Sequence, residues 1–395
     1  MKPGICLTFK VHQPQQLRQY RFFDMGKDSH YYDDFACRSA IRKAASRSYL
    51  PMNKMILDLI SSSKGKFKVA YAISGTALEQ MDRYCPELLD SFRALAATSC
   101  VEFLCEPYYH SLAAVVSPEE FAHQVDKHRA ALKQYLGVEA VTFVNTDMVY
   151  SDAIGDQVQQ MGFKAMLTEG ARHILGWRSP NYVYSCAVNP KLKLLLRNAS
   201  LSDDLSLRFD CREWDQWPLT ADKYLGWLKQ VAGEQVVNLC MNYRIFGDYN
   251  GSETGILDFF RSFVEQTLAD GTFAFVTPSK AASASSAGAI EVADPISCED
   301  EERDMAKWLG NELQKDAFNK LYALREKIAL SNLPQLWEDF GHLQETDHFY
   351  NMNTKFFADA SAHRYINPYD TPYEAFINYM NVLGDFAIRV QEELD

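Results

Sequence analysis

The chain has 395 residues, of which 47% are hydrophobic, and its formal net charge at pH 7 is −12. This length and apolar content suit one large α/β domain with an appended region. The acidic balance, without any run of Lys and Arg, excludes proteins that bind the phosphate backbone of nucleic acids. No apolar stretch reaches the roughly 18–20 residues of a membrane span, so we expect no membrane partner.

The cysteines and the amino terminus bear on the cellular compartment. Nine cysteines are scattered along the chain without a CxxC pair. An odd number without paired spacing is typical neither of a disulfide framework nor of a zinc site, and suits a reducing compartment. The first residues, MKPGICLTFKVHQPQ, resemble a β-strand and lack the apolar core of a signal peptide. We therefore predict a soluble cytoplasmic protein, and leave its oligomeric state open.

Short apolar runs alternate with helical patterns through roughly the first 275 residues. In chain order we predict strand 5–11, helix 48–65, strand 67–74, helix 75–97, strand 101–109, helix 117–137, strand 140–146, helix 151–162, strands 163–170 and 236–243, a helix after Glu253 and strand 273–279. This alternation predicts an α/β fold with a parallel sheet and helical crossovers. About seven such units, with polar residues at the carboxyl ends of the strands, favour a barrel over an open sheet.

The composition changes after Pro278. Residues 279–303 are small and polar and lack periodicity, which predicts a linker or a long surface loop. Beyond them, 304–332 and 370–393 are predicted to be long helices. We therefore expect a barrel domain over 1–278, a linker or loop over 279–303, and a mainly α-helical region over 304–395.

Several polar side chains lie at the ends of predicted strands, where α/β proteins usually place their chemistry. They are His12 and Gln13; Glu102, Glu106 and His110; Asn145, Thr146 and Asp147; Asn242 and Asp248; and, in the tail, Asp347 and His348. Each has a structural alternative as a turn residue, a solvated carboxylate or a helix cap. Together they indicate a site for a sugar-like ligand. No HxH or HExxH spacing supports a metal, and we predict no cofactor.

Seven ordered segments carry a resemblance that covers nearly the whole chain. They are HQP (12–14), VEFLCEPYYHSL (101–112), FVNTDMVYS (143–151), GFKAMLTEGARHILGWRSPNYVY (162–184), MNYRIFGDYNGSETGI (241–256), WLGNELQKDAFNKLY (308–322) and TDHFYNMNTK (346–355). They resemble glycoside hydrolase family 57, in its α-amylase branch. The resemblance implies an incomplete (β/α)7 barrel followed by a helical region that helps to close the site. It also implies retaining cleavage or transfer at α-glucosidic bonds of an α-glucan or maltooligosaccharide.

Both catalytic positions implied by the resemblance are substituted. Asp147 stands where the family has the nucleophilic Glu, and its carboxylate is set back by one C–C bond, roughly 1.5 Å. A misplacement of about 1 Å can reduce a rate ~10²-fold. Asn242 stands where the family has the Asp that acts as acid and then base. An amide cannot supply the ~10²–10⁴-fold of general acid–base catalysis. Arg244 replaces an acidic residue of the same segment.

The ring of positions around this pair is kept, and the resemblance implies that it holds sugar hydroxyls or shapes the pocket. Its members are His12, Gln13, Glu102, His110, Trp177, Trp308, Asp347 and His348. One hypothesis is an α-glucan hydrolase or transglycosylase in which Asp147 attacks or activates water and Asp248 or Asp347 replaces the acid. The alternative is a non-catalytic α-glucan-binding or regulatory protein on the same scaffold. An unrelated metal-dependent hydrolase is a third class.

Overall fold

The structure, a computed structural model, describes residues 2–299, 301–357 and 367–394. Its longer strands follow the apolar runs of the sequence, and most of their residues are buried. The strands are β1 (Gly4–Val11), β2 (Val69–Ile73), β3 (Val101–Leu104), β4 (Thr142–Val144), β5 (Ala165–Glu169), β6 (Val183–Cys186), β7 (Lys193–Arg197), β8 (Val236–Asn242), β9 (Phe246–Gly247), β10 (Asn250–Gly251), β11 (Ala274–Phe275) and β12 (Ala289–Ile290).

The main sheet is mostly parallel, as the alternation of strands and helices predicted. β1 pairs with β2 on one side and β8 on the other; β3 follows β2, while β7, β5 and β4 continue from β8. β6 pairs with β7 in the antiparallel sense. Just after β3, the backbone of Cys105 forms a parallel bridge to Phe143 of β4. The carboxyl ends of the parallel strands therefore lie at one edge of the sheet, where the predicted site residues are concentrated.

Helices cross between the strands and make up most of the carboxyl-terminal region. They are α1 (Asp34–Ala44), α2 (Leu50–Ser62), α3 (Gly75–Tyr84), α4 (Pro86–Ala96), α5 (Pro118–Leu136), α6 (Asp152–Gln160), α7 (Arg172–Leu175), α8 (Ala199–Ser206), α9 (Ala221–Lys229), α10 (Ile256–Asp270), α11 (Pro278–Ala281), α12 (Ala306–Leu309), α13 (Glu312–Tyr322), α14 (Arg325–Leu330), α15 (Pro334–Leu343), α16 (Thr346–Tyr350) and α17 (Pro372–Leu394). Among the described residues, no helix is both long and apolar enough to cross a membrane.

Several element boundaries differ from those predicted. The single helix expected over 75–97 is two helices, because Pro86 lacks the N–H that a continuous helix needs and instead begins α4. The long helix expected over 304–332 is divided into α12, α13 and α14. Asn311 forms a capping box with Gln314 and so starts α13. The predicted elements also lack α1, α8, α9, β6 and β7.

The segment expected as a linker or loop, 279–303, is largely irregular but lies against the fold. β12 pairs with β6, and Val292 and Ile296 are buried in the same apolar cluster as the carboxyl-terminal helices. Those helices also contact the strand ends directly, since the N–H of Thr346 in α16 donates to the carbonyl of His110. The tail therefore forms part of the wall around the carboxyl edge of the sheet.

Gly341 in α15 allows this close packing. A Cβ at Gly341 would lie 2.0 Å from the ring of Tyr109, which is itself buried. A Cβ at Gly226, in α9, would meet no atom within 4 Å. We expect Gly341→Ala to lower the free energy of unfolding by about 1–3 kcal/mol through overpacking. Gly226→Ala is the matched control and should raise it by up to about 1 kcal/mol. Urea denaturation measures both, and equal stability of the two variants would contradict this packing.

Candidate functional site

Two adjoining cavities lie at the carboxyl edge of the sheet. The large cavity has a volume of about 580 Å³ and is lined by residues that include Glu106 and Asp147. The small cavity, of about 80 Å³, reaches toward the carboxyl-terminal helices. Lys10, Asn242 and Tyr249 line both. These three residues therefore stand at the centre of the site.

The last residues of β1 supply side chains to both cavities. Alternate residues of a strand point to the same face, so Thr8 and Lys10 lie on one side of β1. Both line the large cavity. The ammonium group of Lys10 forms an ion pair with the carboxylate of Asp147, and the side chain of Asp147 is only 2% exposed. A charge that is buried in this way is stable only with such a partner.

His12 joins the sheet to the carboxyl-terminal helices. Its Nε2 lies 2.9 Å from a carboxylate oxygen of Asp347 in α16, and its Nδ1 lies 2.7 Å from the hydroxyl of Ser74. Its ring stacks on that of His110, with centroids 4.1 Å apart. His12 and Asp347 are thus held together by a hydrogen bond on the wall of the small cavity, and ring stacking on His110 also fixes His12.

Asp147 is held by a strained turn that follows β4. The side chain of Asn145 accepts a hydrogen bond from the N–H of Thr146 and donates one to the carbonyl of Val149. Asp147 itself has a φ of 44°, in the left-handed region that non-glycine residues rarely adopt. Its second carboxylate oxygen lies 3.6 Å from Nε2 of His110. Such strain is common where a side chain must be aimed at a site.

His110 lies between two carboxyl groups and is uncharged at neutral pH. Burial lowers the pKa of its imidazole well below the usual value, and the charges of His12 and Lys10 act in the same direction. Neither ring nitrogen has a hydrogen-bond partner among the described residues. Nδ1 lies 3.9 Å from the carboxyl group of Glu106. The buried imidazole, 1% exposed, therefore keeps one donor and one acceptor nitrogen unused among the described residues.

Glu106 carries a proton at neutral pH. Burial raises the pKa of its carboxyl group to about 8, although the ammonium of Lys10 partly opposes this shift. One of its oxygens has no hydrogen-bond partner among the described residues. A protonated Glu106 and the ion-paired Asp147 therefore line the same cavity in different protonation states.

Asn242 ends β8, but its side chain is used locally. Its amide oxygen accepts a hydrogen bond from the N–H of Arg244, which caps a short helical turn. The guanidinium of Arg244 in turn donates to Asp248, and Arg47 lies 3.9 Å from the same carboxylate. Asp248 lines neither cavity. The structure thus brings Asn242 to the predicted position and directs Asp248 away from it.

The other predicted residues of the small cavity lie together. Gln13, Asp347 and His348 all line it. Although burial raises the pKa of Asp347, its contact with His12 and electrostatic interactions with His348 and Lys10 together outweigh that effect, and the pKa lies below the usual value. Burial lowers the pKa of His348 to about 4, so its imidazole is neutral. Asp347 is therefore an ionised acceptor and holds no proton that it could donate.

Four predicted binding residues lie outside both cavities, and one of them is His110, which is buried behind Asp147. The carboxylate of Glu102 accepts hydrogen bonds from Thr142 and Ser279, two strand layers below Glu106. Trp177 is 94% exposed, in the turn after α7. Trp308 is 2% exposed and belongs to the core of the carboxyl-terminal helices. The sequence segments around them suggested a contact with the ligand. In the structure Glu102 lies below the cavity, Trp177 lies on the surface and Trp308 lies in the core.

A buried charge network was missed by the sequence analysis. Arg197, at the end of β7, forms ion pairs with Glu169 and Asp203, and Arg303 pairs with the same Asp203. The Nε of Arg197 donates to the carbonyl of Cys240 in β8. Lys10 was also missed. In each case the detectable signal was one charged residue at the end of an otherwise apolar strand.

Two clusters of potential metal ligands adjoin the cavities. One consists of His12, Glu345 and Asp347, in which Nε2 of His12 and one carboxylate oxygen each of Glu345 and Asp347 already take part in hydrogen bonds within the protein. The other combines Asp147 with Cys298 and Glu299. The ammonium of Lys10 already neutralises Asp147, and burial holds the pKa of the Cys298 thiol well above its usual range. A thiol must lose its proton to bind a metal, which disfavours the second cluster as a metal site.

The raised pKa of Glu106 predicts a pH dependence of stability. An unfolded Glu loses its proton near pH 4.5, whereas native Glu106 keeps it until about pH 8. Between these values the native state binds more protons, so this carboxyl lowers the free energy of unfolding as pH rises. We expect Glu106→Gln to gain on the order of 3 kcal/mol relative to the native chain between pH 5 and pH 8. Urea denaturation at both pH values measures this difference.

The exposed Glu392→Gln is the control, and its stability difference should not change with pH. A Glu106→Gln difference that is the same at both pH values would show that Glu106 is ionised in the native state.

Both the sequence and the fold are similar to those of known proteins. The profile of Glycosyl hydrolase family 57 matches residues 6–293. A protein of Methanocaldococcus jannaschii described as "Putative alpha-amylase" is 36% identical over 407 residues, covering 99% of this chain and 85% of that protein. Among solved structures, a GH57 branching enzyme from Thermococcus kodakaraensis superposes with a TM-score of 0.70 at 12% identity, covering 100% of this chain and 91% of the other.

A second solved structure shares the fold over the whole chain. The alpha-amylase AmyC from Thermotoga maritima superposes with a TM-score of 0.66 at 12% identity, covering 100% of this chain and 95% of the other. At such identities the two superpositions show the fold alone, whereas the profile match and the 36% relative show the family. The resemblance found in the sequence is confirmed: the chain belongs to glycosyl hydrolase family 57.

Proposed function

We propose that the chain binds an α-glucan in the two cavities and does not cleave it by the retaining reaction that the family resemblance implies. The single observation that carries the proposal is the position of Asn242. It ends β8 on the wall shared by both cavities, and its amide oxygen is used to cap a turn. An amide cannot protonate a leaving sugar oxygen.

The two replacement acids considered from the sequence do not support turnover. Asp248 is engaged by Arg244 and lines neither cavity. Asp347 lines the small cavity, but its contact with His12 favours the ionised form. Without a protonated group in their place, a natural glucosidic bond lacks an acid for its leaving group.

The polar atoms of the cavity walls support binding of a polyhydroxylated ligand. Gln13, Glu106 and Asp347 each have one side-chain oxygen without a hydrogen-bond partner among the described residues. A buried polar atom left without a partner costs about 1–3 kcal/mol, and sugar hydroxyls can satisfy several at once. Tyr249 lines both cavities, and the guanidinium of Arg244 lies 5.1 Å from the centroid of its ring. The α-glucan itself is inferred from the family.

For the fold, we propose that seven parallel strands close into an incomplete (β/α)7 barrel around the large cavity. The ring runs β1–β2–β3–β4–β5–β7–β8. The bridge between Cys105 and Phe143 supports its closure, because it links the end of β3 to β4. The wall of the large cavity, which takes residues from β1, β4, β7 and β8, is consistent with the interior of such a barrel.

One observation favours a second candidate, hydrolysis that uses a different acid. Glu106 lies on the wall of the large cavity and holds a proton up to about pH 8. Two carboxyl groups whose environments separate their pKa values are the usual arrangement of an acid with its partner. In this reading Glu106 protonates the leaving oxygen, and Asp147 attacks the sugar or activates water.

The test is calorimetric titration of the native chain with maltoheptaose, with product analysis of the same samples. We expect binding without release of shorter sugars. Tyr249→Ala, at the centre of the site, should weaken binding at least tenfold. Trp177→Ala is the matched aromatic control and should leave binding unchanged, because Trp177 lies on the surface outside both cavities. Thermal melting of each variant checks its fold.

The other outcomes separate the candidates. Absence of binding would contradict glucan recognition. Multiple turnovers of maltoheptaose that disappear in Glu106→Gln and decline above about pH 8 would establish the second candidate. Cleavage of an aryl maltoside alone, whose leaving group needs no proton, would mean that Asp147 still attacks and that only the acid is missing.

A further inference from the structure

Lys10 lies beside one of the two catalytic positions that the family implies, Asn242, and contacts the other, Asp147. β1 lies between β8 and β2, and Lys10 pairs in register with Asn242 on one side and Ala72 on the other. Lys10 and Asn242 line both cavities. Ala72 also lines the large cavity, which the long side chain of Lys10 crosses. The ammonium of Lys10 reaches the carboxylate of Asp147 on the far wall.

Lys10 supplies the positive charge that neutralises Asp147. The other basic side chain near Asp147 is His110, whose Nε2 lies 3.6 Å away. Burial holds the pKa of that imidazole well below its usual value, so His110 carries no charge at neutral pH. The charge of Asp147 is thus balanced by Lys10, and this pair spans the space between β1 and the turn after β4.

We infer that Lys10 suppresses cleavage at this site in addition to the residues at positions 147 and 242, because its ammonium takes the place of the positive charge that develops on the sugar. The inference rests on the proposed binding of an α-glucan. The transition state of glycoside cleavage is oxocarbenium-like, and a carboxylate beside the sugar stabilises it. Here that carboxylate already holds a cation. The same cation repels the developing charge on the anomeric carbon.

The size of this effect is similar to that of a single catalytic group. Two unit charges about 4 Å apart at an effective dielectric constant of about 20 interact strongly enough to change a rate roughly 10³-fold. Binding of a neutral glucan is not opposed in this way, since an ammonium group can donate hydrogen bonds to hydroxyl oxygens. We therefore expect that placing Glu at position 147 and Asp at position 242 leaves turnover slow while Lys10 remains.

The first test compares three combined variants, with maltoheptaose and an aryl maltoside as substrates. The double variant Asp147→Glu/Asn242→Asp should remain slow. Adding Lys10→Gln should raise its turnover at least ~10²-fold, and adding Lys10→Arg should not, because arginine keeps the charge. A double variant as fast as the Lys10→Gln triple variant, or equal rates for the Gln and Arg triples, would overturn the inference.

The second test uses single variants and needs no catalysis, so it holds even where a combined variant does not fold. The probe is a protonated iminosugar, which carries a positive charge where the transition state does. We expect it to bind Lys10→Gln at least tenfold more tightly than the native chain or Lys10→Arg. Maltoheptaose affinity is measured with the same three proteins, and the ratio of iminosugar affinity to maltoheptaose affinity should rise at least tenfold in Lys10→Gln alone.

The two proposals fail in different ways. If maltoheptaose does not bind the native chain, the proposed function is wrong. If maltoheptaose binds but the iminosugar affinity is the same with Gln, Arg or Lys at position 10, the role of Lys10 is wrong.

Discussion

The ion pair between Lys10 and Asp147 is the contact around which the site is arranged. It joins β1 to the turn after β4 across the large cavity, and Asp147 is almost fully buried within it. A buried charge that loses its partner typically destabilises a protein by about 3–5 kcal/mol, so neither residue can be changed without consequence for the other. The left-handed backbone at Asp147 aims its carboxylate at the ammonium. His110 completes the enclosure as a neutral ring on the other carboxylate oxygen.

Charge balance extends beyond that pair. Arg197 is held between Glu169 and Asp203, and Lys307 pairs with Glu299. With its charges matched inside the protein, the wall offers hydrogen-bond donors and acceptors without a large field of one sign. Such a wall suits a neutral polyhydroxylated ligand better than an anionic one. This is the physical reason that a site with altered catalytic positions can still favour a sugar.

The sequence was sufficient for the parts of the structure that depend on local pattern. Apolar runs located β1, β2, β5 and β8, and ordered motifs located His12, Asp147, Asn242 and Asp347 in one site. It was insufficient where the outcome depends on which residues meet in space. Glu102 and Glu106 both belong to one motif, yet only Glu106 is at the height of the cavity. A charged residue at the end of an apolar strand singles out Lys10, but its contact with Asp147, 137 positions away, cannot be read from the sequence.

We expect an intact α-glucan to occupy a cavity whose reactive positions are filled by an amide and by an ion pair. A crystal structure of the native chain soaked with maltoheptaose tests this directly. It should show an uncleaved chain with one glucose unit beside Asn242, and the contact between Lys10 and Asp147 still in place. A sugar bonded covalently to Asp147, a shortened glucan, or an empty cavity beside a glucan bound elsewhere would contradict this expectation.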